Sequence, residues 1–445
     1  MSQGVTLTLI TLFLYLTGFF GGKGDPSLSP APPSWSSPSA PVGQPGAGPL
    51  DADRGSALTT TDLVNVRSGP GTSYPTLATL PRGTPLSVLS GRNGWLKVKT
   101  PDGRTGWVVS WLVGPASPAA APSRKPLRAR EVLGYYTGAS GSDSGSYASL
   151  ASHWRSLTAV APFFFRIDGA GNVSGRHDQA VVNLARARGL KALALVHNHN
   201  QAGFDADAAH NMLSSAASRA RAVAAIGNIL RTYGYDGVNI DFENLYPWDR
   251  PHFTAFLREL AASLRPRGYL VTVAVPAKYR DDPSSRWAGA IDYRAVGQYA
   301  DLVVLMTYDE HFRVGKPGPI ASLQWVEKVV EYARTQIPPQ KIILGLAAYG
   351  YDWPSRGGSG RALSYWQALN LARRAGASIK WDPVAKAPYF SYYRGKEQRV
   401  VWFETSYSAE HKLALVNRYG LRGVALWKLG YEDPRLWSLL SQTLF

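Results

Sequence analysis

The chain has 445 residues, of which 45% are apolar and 11% aromatic, and its formal net charge is +17. These values exclude a chain that is disordered throughout, and the length favours two or three folded units. The absence of cysteine excludes disulfide bonds and thiolate metal sites, and the positive charge indicates a polyanionic partner such as nucleic acid, anionic lipid or an anionic cell wall.

The N-terminus carries an uncharged apolar run, VTLTLITLFLYLTGFF, at residues 5–20. This length is typical of the hydrophobic part of a signal peptide and is short for a membrane span. No basic residue precedes the run and no clear cleavage site follows it, so an uncleaved anchor is the alternative. We interpret residues 1–22 as a signal peptide or N-terminal anchor, which predicts export. The Pro-, Ser- and Gly-rich residues 23–56 are interpreted as a flexible linker.

Residues 57–114 consist of short alternating runs separated by turn residues, a pattern that predicts a small all-β barrel. The sequences NVRSGPG (65–71), GWLKV (94–98) and GWV (106–108) resemble those of the bacterial SH3-type domain. The resemblance implies that this module binds cell-wall peptides or polymers, or tethers the chain to the wall. A spacer without a ligand is the alternative. The basic, Pro- and Ala-rich residues 115–130 are predicted to be a second linker.

From residue 131 onward, strand-like apolar runs alternate with helical patterns. The predicted strands are 132–136, 157–165, 191–196, 237–243, 269–275, 301–308, 341–349 and 422–429. Eight strands alternating with helices predict a (β/α)8 TIM barrel over residues 131–445. A small insertion at about residues 351–400, between the last two strands, matches neither a helix nor a barrel strand.

The fourth predicted strand carries polar residues on one of its faces. Because side chains alternate along a strand, Asn239, Asp241 and Glu243 share the face opposite its apolar residues. In a barrel this face points inward near the C-terminal mouth, where active sites lie. Polar groups spaced about 6.6 Å apart along a strand would repel and desolvate one another in a purely structural core. The pattern therefore favours an active site over a bracing charge network.

The segment DGVNIDFE at residues 236–243 resembles the D-G-x-D-x-D-x-E signature of glycoside hydrolase family 18. The sequence MTYD at 306–309, VVWFE at 400–404 and Trp427 within GVALWKLG extend this resemblance over residues 131–445. These sequences are most similar to the branch of spore-cortex and peptidoglycan N-acetylglucosaminidases. The resemblance implies a glycosidase in which the 2-acetamido group of the substrate is the nucleophile. It implies no cofactor and no metal.

The resemblance also implies a role for individual residues. Glu243 would be the general acid, Asp241 would orient the acetamide and stabilise the oxazolinium intermediate, and Tyr308 would donate a hydrogen bond to the acetamide oxygen. The implied substrate-binding residues are Asn239, Trp427, which would form the floor of the sugar pocket, Asp309, Tyr136 and Met306. Asn239 stands where the family has its second Asp. Since an amide carries no negative charge, Asp241 is predicted to ionise more easily than it would beside an Asp, with activity retained.

Three other sequence features have a less specific meaning. In the sequence HNHN, His197 and His199 share a strand face, but no acids lie nearby at ligand spacing, so a position along the sugar cleft is favoured over a metal site. The glycine-rich segment 356–364 lacks the Gly-Lys-Ser/Thr of a phosphate-binding loop and is interpreted as a flexible loop of the insertion. Further candidates for stacking against sugar rings are Tyr349, Tyr351 and Trp353.

The sequence thus predicts an exported hydrolase that cleaves the β-1,4 bond after N-acetylglucosamine in peptidoglycan or spore cortex. A chitinase or chito-oligosaccharide hydrolase is one alternative. A non-catalytic wall-binding protein is another, and the presence of Glu243 argues against it. The expected partners are the glycan and a wall peptide or polymer, without nucleic acid, because no nucleic-acid-binding signature is found. We expect a monomer that is secreted or associated with the cell envelope or spore.

Overall fold

The structure of the chain is a computed structural model. It describes residues 56–59, 63–81, 83–92, 95–115, 127–138 and 145–445. The predicted signal peptide or anchor at 1–22 lies outside the described residues, as do 23–55 of the first predicted linker and 116–126 of the second. The described residues form two compact units, one within 56–115 and the other within 127–445.

The described part of the N-terminal unit is an antiparallel sheet. Its strands are Ser56–Thr59, Leu63–Arg67, Thr76–Pro81, Pro85–Arg92, Trp95–Lys99, Thr105–Val109 and Val113–Pro115. Alternation along these strands buries Val64, Val66 and Val98 in one apolar core. Gly106 permits close packing of the strands, because a Cβ atom there would lie 2.4 Å from Val66 Cγ1. The predicted small all-β, SH3-like fold is confirmed.

The C-terminal unit contains a closed barrel of eight parallel strands. They are β1 (Glu131–Tyr136), β2 (Ala159–Ile167), β3 (Lys191–His197), β4 (Gly237–Asp241), β5 (Leu270–Pro276), β6 (Leu302–Met306), β7 (Ile342–Ala347) and β8 (Gly423–Trp427). Each strand pairs with the next along the chain, and β8 pairs with β1. The predicted (β/α)8 barrel is confirmed, and no strand end lies more than two residues from its predicted position.

Helices surround the barrel and cover its apolar outer face. The described α-helices are α1 (Gly145–His153), α2 (Gln179–Ala187), α3 (Ala206–Ser214), α4 (Ala216–Tyr233), α5 (Arg250–Leu264), α6 (Tyr293–Tyr299), α7 (Leu323–Gln336), α8 (Tyr365–Arg374), α9 (Ser406–Arg418) and α10 (Leu436–Leu444). Short strands in the loops are Val173–Gly175, His199–Asn200, Gly203–Phe204 and Val314–Gly315. Among the described residues, no helix combines the length and apolar composition that crossing a bilayer requires.

The alternation predicted for the fourth strand is confirmed. Val238 and Ile240 pack in the outer layer between the strands and the helices, whereas Asn239 and Asp241 point into the barrel. β4 ends at Asp241, so Glu243 lies two residues past the strand, where the chain begins to turn over the barrel mouth. This position gives an inward-facing side chain access to a cleft, which a residue deep in the barrel does not have.

The insertion is a folded subdomain, which corrects the sequence prediction. It contains a five-stranded antiparallel sheet, here called the insertion sheet. Its strands, in spatial order, are Arg361–Ser364, Tyr349–Pro354, Glu397–Phe403, Ala387–Arg394 and Lys380–Asp382. Helix α8 packs on one face of this sheet, against Phe390, Val401 and Phe403. The glycine-rich segment predicted to be a flexible loop supplies the strands Gly358–Ser359 and Arg361–Ser364.

A buried ion pair joins β1 to β3 at the start of these strands. Lys191 Nζ lies 2.9 Å from Glu131 Oε1, and both side chains are almost fully buried. The Glu131 carboxylate also accepts hydrogen bonds from the Thr158 hydroxyl and from the backbone N–H of Arg128. The charge of Glu131 is therefore compensated on several sides, as a buried carboxylate requires.

We expect Lys191→Met to destabilise the barrel by about 3–5 kcal/mol, because it leaves the buried charge of Glu131 without its cation. The measurement is the urea midpoint of the barrel transition. The double variant Glu131→Gln/Lys191→Met removes both charges and should recover part of the loss. A single variant as stable as the wild type would contradict the prediction.

Candidate active site

A cleft opens at the C-terminal mouth of the barrel and encloses about 790 Å³, including its open side. Its walls come from several barrel strand ends and from the strand Tyr349–Pro354 of the insertion sheet, which contributes Tyr349 and Tyr351. The family resemblance implied three catalytic and five substrate-binding residues, and six of these eight line the cleft. They are Glu243, Asp241, Tyr308, Trp427, Asp309 and Met306. The cleft lies at the end of the barrel where this architecture places its active sites.

The structure does not bring the other two predicted residues to the cleft surface. Asn239 is fully buried; its Nδ2 donates to Thr272 Oγ1 (2.8 Å), and the Tyr135 hydroxyl lies 3.4 Å from its Oδ1. It therefore lies one step deeper in the barrel than Asp241. Tyr136 packs in the outer layer with its ring edge against Phe164. Alternation along β1 places Tyr135 in the cleft instead, in edge contact with Trp427.

Burial controls the ionisation of the two acids. It raises the pKa of Asp241 to about 7. The pKa of Glu243 is raised well above its usual range, by burial first and then by the negative charges of Asp241 and Asp309. On titration Asp241 therefore loses its proton before Glu243 does. The cleft thus holds a protonated Glu243 beside an ionised Asp241 over a range of pH.

The Asp241 carboxylate has an unused acceptor. Its Oδ1 is buried and has no hydrogen-bond partner among the residues that the structure describes. A buried acceptor without a partner costs free energy, which a ligand N–H at this point would recover. The sequence predicts that Asp241 ionises more easily beside Asn239 than it would beside an Asp at position 239. This comparison stays a prediction.

Asp309 is held by two tyrosines from the insertion sheet. Its Oδ1 accepts hydrogen bonds from the hydroxyls of Tyr349 (2.6 Å) and Tyr351 (2.9 Å). Its backbone has a φ of 60°, a left-handed conformation that persists in a non-glycine residue where the surroundings fix it. Tyr349 and Tyr351 line the cleft, and their stacking against sugar rings stays a prediction, whereas Trp353 does not line it. The Trp353 ring is fully buried, and its Nε1 donates to the carbonyl oxygen of Arg313 at 3.0 Å.

Asn198 is a site residue that the sequence did not reveal. Its Oδ1 accepts from the backbone N–H of Glu243 (3.0 Å), and its Nδ2 donates to the backbone carbonyl of Glu243 (2.9 Å). The pairing of β3 with β4 places His197 beside Asp241, so the next residues of both strands are neighbours. Asn198 therefore fixes the backbone of Glu243 just where the fourth strand ends. The only sequence signal was its place within HNHN.

The two histidines of HNHN lie behind the cleft rather than along it. The His197 ring stacks on Phe163 with 4.0 Å between ring centroids, and the His199 ring meets the edge of Phe204. Phe163 and Phe204 are the residues that line the cleft. Burial lowers the pKa of His197 to about 3 and that of His199 to about 4, so both rings are neutral near pH 7. No group of three or more metal-ligating side chains is found in the described part of the chain.

Both units of the chain match known protein families. Residues 131–432 match the family described as glycosyl hydrolases family 18, and residues 62–114 match the bacterial SH3 domain. The glycosylase YvbX of Bacillus subtilis is 31% identical over 314 residues, which cover 70% of this chain and 90% of YvbX. The cortical fragment-lytic enzyme of Bacillus subtilis is 33% identical over 290 residues, which cover 64% of this chain and 67% of that enzyme.

Solved structures are similar as well. A chitinase from Chromobacterium violaceum has a TM-score of 0.67 and 33% identity, over 71% of this chain and 99% of the chitinase. The spore cortex-lytic enzyme SleL of Bacillus megaterium has a TM-score of 0.66 and 28% identity, over 76% of this chain and 77% of SleL.

Proposed function

The chain belongs to glycoside hydrolase family 18 and carries a bacterial SH3 domain, and we propose that it hydrolyses the β-1,4 bond after N-acetylglucosamine in peptidoglycan or spore cortex. The observation that carries the proposal is the pair of acids, Asp241 and Glu243, that lines the cleft. An Asp241 oxygen that is buried and has no partner among the described residues lies in the same cleft as Glu243, whose pKa is raised well above its usual range. This arrangement suits a substrate that supplies both an amide N–H and a leaving oxygen.

The first step is the cleavage of the glycosidic bond. Glu243 donates its proton to the leaving glycosidic oxygen while the carbonyl oxygen of the substrate's own 2-acetamido group attacks the anomeric carbon. The bond from the anomeric carbon to the leaving oxygen breaks, and a positively charged oxazolinium ring forms. In the second step, the Glu243 carboxylate takes a proton from water, which attacks the anomeric carbon and opens the ring with retention.

The neighbouring residues act on the acetamide and on the charge of the intermediate. Asp241 accepts the acetamide N–H through its free Oδ1, and its negative charge stabilises the oxazolinium. Tyr308 remains protonated, because burial first and then the charges of nearby groups raise its pKa well above the usual range. Its hydroxyl therefore donates to the acetamide oxygen. Trp427 provides the apolar floor against which the sugar ring stacks.

The choice of bond follows from the requirement for a 2-acetamido sugar next to the cut. N-acetylglucosamine fits this position more easily than N-acetylmuramic acid, whose lactyl ether adds bulk and charge. Muramic lactam lacks the acetyl group and cannot act as the nucleophile. Two relatives with cortex in their names, the cortical fragment-lytic enzyme and SleL, support the wall as the source of the substrate. The net charge of +17 also suits an anionic wall.

Chitin is the second candidate substrate. The observation that favours it is the 33% identity to the chitinase from Chromobacterium violaceum. Chitin has the required acetamide but no negative charge. We further propose that the SH3 domain holds the enzyme on a wall peptide or polymer, and that the protein is exported, acts outside the cell or on the spore, and is a monomer.

The test of the proposal is mass spectrometry of purified wall and cortex peptidoglycan after digestion, with borohydride reduction to mark new ends. We expect new ends that carry reduced N-acetylglucosamine. Ends that carry reduced muramic acid would reverse the assignment of the bond. If neither glycan gained ends while chito-oligosaccharides were cleaved, the second candidate would be correct.

Asn198 is expected to act by positioning Glu243. Asn198→Ala removes both hydrogen bonds to the Glu243 backbone and should lower kcat by about 10- to 100-fold, with KM changed by less than about twofold. Asn198→Asp keeps the acceptor for the Glu243 N–H but places a buried carboxylate against the Glu243 carbonyl oxygen, so it should be impaired as well. The matched control is Asn228→Ala on the surface of α4. A rise in KM at unchanged kcat would show that Asn198 supports substrate binding instead.

A further inference from the structure

A second groove lies on the insertion sheet and shares no lining residue with the catalytic cleft. We call it the insertion groove; its walls include Lys316, Arg356, Tyr389, Ser391, Val400 and Trp402. It begins one strand away from the cleft, because Tyr351 of the cleft wall is the cross-strand partner of Trp402. Neighbouring strands are about 4.8 Å apart. A glycan chain that leaves the cleft on this side would therefore reach the insertion groove directly.

The floor of the insertion groove is aromatic. Tyr389 and Trp402 are cross-strand partners, and their rings stack with 4.6 Å between centroids and 18° between planes. Both rings are half-buried and stand on the face of the sheet opposite α8. Amphipathic rings that stay partly exposed on a rigid sheet are suited to packing against the C–H groups of a sugar.

The rim of the insertion groove carries two cations, Lys316 and Arg356. Lys316 and Arg356 are both exposed, and neither forms an ion pair with a described residue. They lie close together, because Gly315 pairs with Gly358 and a Cβ atom on Gly357 would lie 3.5 Å from Lys316 Cα. Arg361, Arg394 and Arg399 of the insertion do pair with acids.

Two buried arginines of this region, Arg399 and Arg313, differ in whether their guanidinium groups have partners among the described residues. Arg399 pairs with Asp352 and Glu397. Arg313, three residues before Lys316, is 9% exposed, and its Nε and Nη2 have no hydrogen-bond partner in the described part of the protein. The Arg313 side chain does not line the insertion groove, and its charge acts on Tyr351 of the cleft wall.

We propose that the insertion groove binds a carboxylate-bearing part of the glycan strand next to the cleaved bond, with a sugar packed on Trp402 and Tyr389 and its carboxylate paired with Lys316 and Arg356. This inference rests on the proposed hydrolysis of peptidoglycan and adds a basis for selecting it over chitin. The carboxylate comes either from the lactyl group of a peptide-free muramoyl residue or from the stem peptide. Neutral chito-oligosaccharides contain no such group.

The test is the charge-reversal variant Lys316→Glu/Arg356→Glu. Its side chains are exposed, so the fold should persist, which the melting temperature checks. The matched control is Arg373→Glu/Arg374→Glu, which changes the net charge equally on α8, across the sheet from the groove. Three soluble substrates are compared: peptide-bearing muramoyl oligosaccharides, the same chains without peptides, and chito-oligosaccharides.

We expect KM for the anionic substrates to rise by about tenfold, the effect of losing roughly 1.4 kcal/mol of charge pairing. KM for chito-oligosaccharides and the kinetics of the control variant should stay unchanged. A rise limited to the peptide-bearing chains assigns the carboxylate to the stem peptide, and a rise limited to the peptide-free chains assigns it to the lactyl group. A rise for both shows that the groove accepts either carboxylate. An unchanged KM for both anionic substrates, or an equal rise for chito-oligosaccharides, would overturn the inference.

Equilibrium binding separates this inference from the proposed function. The same three oligosaccharides are titrated into the Glu243→Gln protein with and without the charge reversal. If the wild type cleaves no muramoyl substrate but charge reversal weakens muramoyl binding about tenfold, the proposed function fails and the groove assignment stands. If cleavage occurs but binding does not depend on the two charges, the groove assignment fails alone.

Discussion

Replacing Glu243 by Gln is expected to lower the turnover of glycan by about 10³- to 10⁴-fold, the upper part of the range for losing a positioned general acid. Glu243 is the cleft residue whose raised pKa keeps a transferable proton near neutral pH. Gln has nearly the same shape but has no proton to donate to the leaving oxygen. The loss should therefore appear in kcat, with binding of the substrate largely kept.

The measurement is the rate at which reducing ends form from muramoyl and chito-oligosaccharide substrates, with thermal melting as the check on folding. The backbone of Glu243 is held by Asn198, a contact that the Gln side chain does not disturb. The melting temperature should therefore not fall. Glu410→Gln, an exposed change on α9, is the matched control. Equal rates for wild type and Glu243→Gln would refute the assignment of the acid.

The barrel and the acid pair could be predicted from sequence because both depend on local patterns. Each barrel strand is a continuous apolar run bounded by turn or helix signals. The alternation along β4 correctly separated Asp241 from the apolar Ile240. Tyr136 was wrongly placed, since two adjacent tyrosines at the end of β1 fit the pattern equally well. Only the register of the barrel decides that Tyr135 faces the cleft.

The insertion was harder to predict because its two longest strands alternate between exposed and buried residues and lack the continuous apolar runs of the barrel strands. The apolar side of α8 relies on small residues such as Ala368 and Ala372. A usable signal was present nonetheless: Ser364 and Gln367 form a capping box at the helix start. The role of Asn198 could not be predicted from a pattern, since it joins residues 45 positions apart in the chain.

The second large effect is expected for Asp241→Asn, which should lower kcat by about 10²- to 10³-fold, comparable to losing one group that stabilises transition-state charge. The amide oxygen of Asn still accepts the acetamide N–H, so KM should change little. What is lost is the negative charge beside the oxazolinium. The charge acts in a buried site, where it is weakly screened by water.

The pH profile of kcat/KM makes this prediction specific. The active wild type has Asp241 ionised and Glu243 protonated. Its activity should therefore fall as the pH drops below the Asp241 pKa of about 7. It should also fall as the pH rises above the higher pKa of Glu243. Because the two acids are close, both limbs report apparent values of the pair. In Asp241→Asn the acid limb should disappear. The alkaline limb should move to lower pH, since Glu243 loses the negative charge of Asp241 and keeps only that of Asp309.

Asn239→Asp is the matched comparison for this titration. It places a second carboxylate beneath Asp241, whose pKa should rise, so the acid limb should move to higher pH while kcat at the new optimum stays close to that of the wild type. An acid limb that persists in Asp241→Asn would assign it to another group. An acid limb that moves to lower pH in Asn239→Asp would contradict the view that Asn239 eases the ionisation of Asp241. Asp241→Asn removes the charge of residue 241 and keeps its hydrogen-bond acceptor. Asn239→Asp keeps both and changes only the pH at which Asp241 becomes charged.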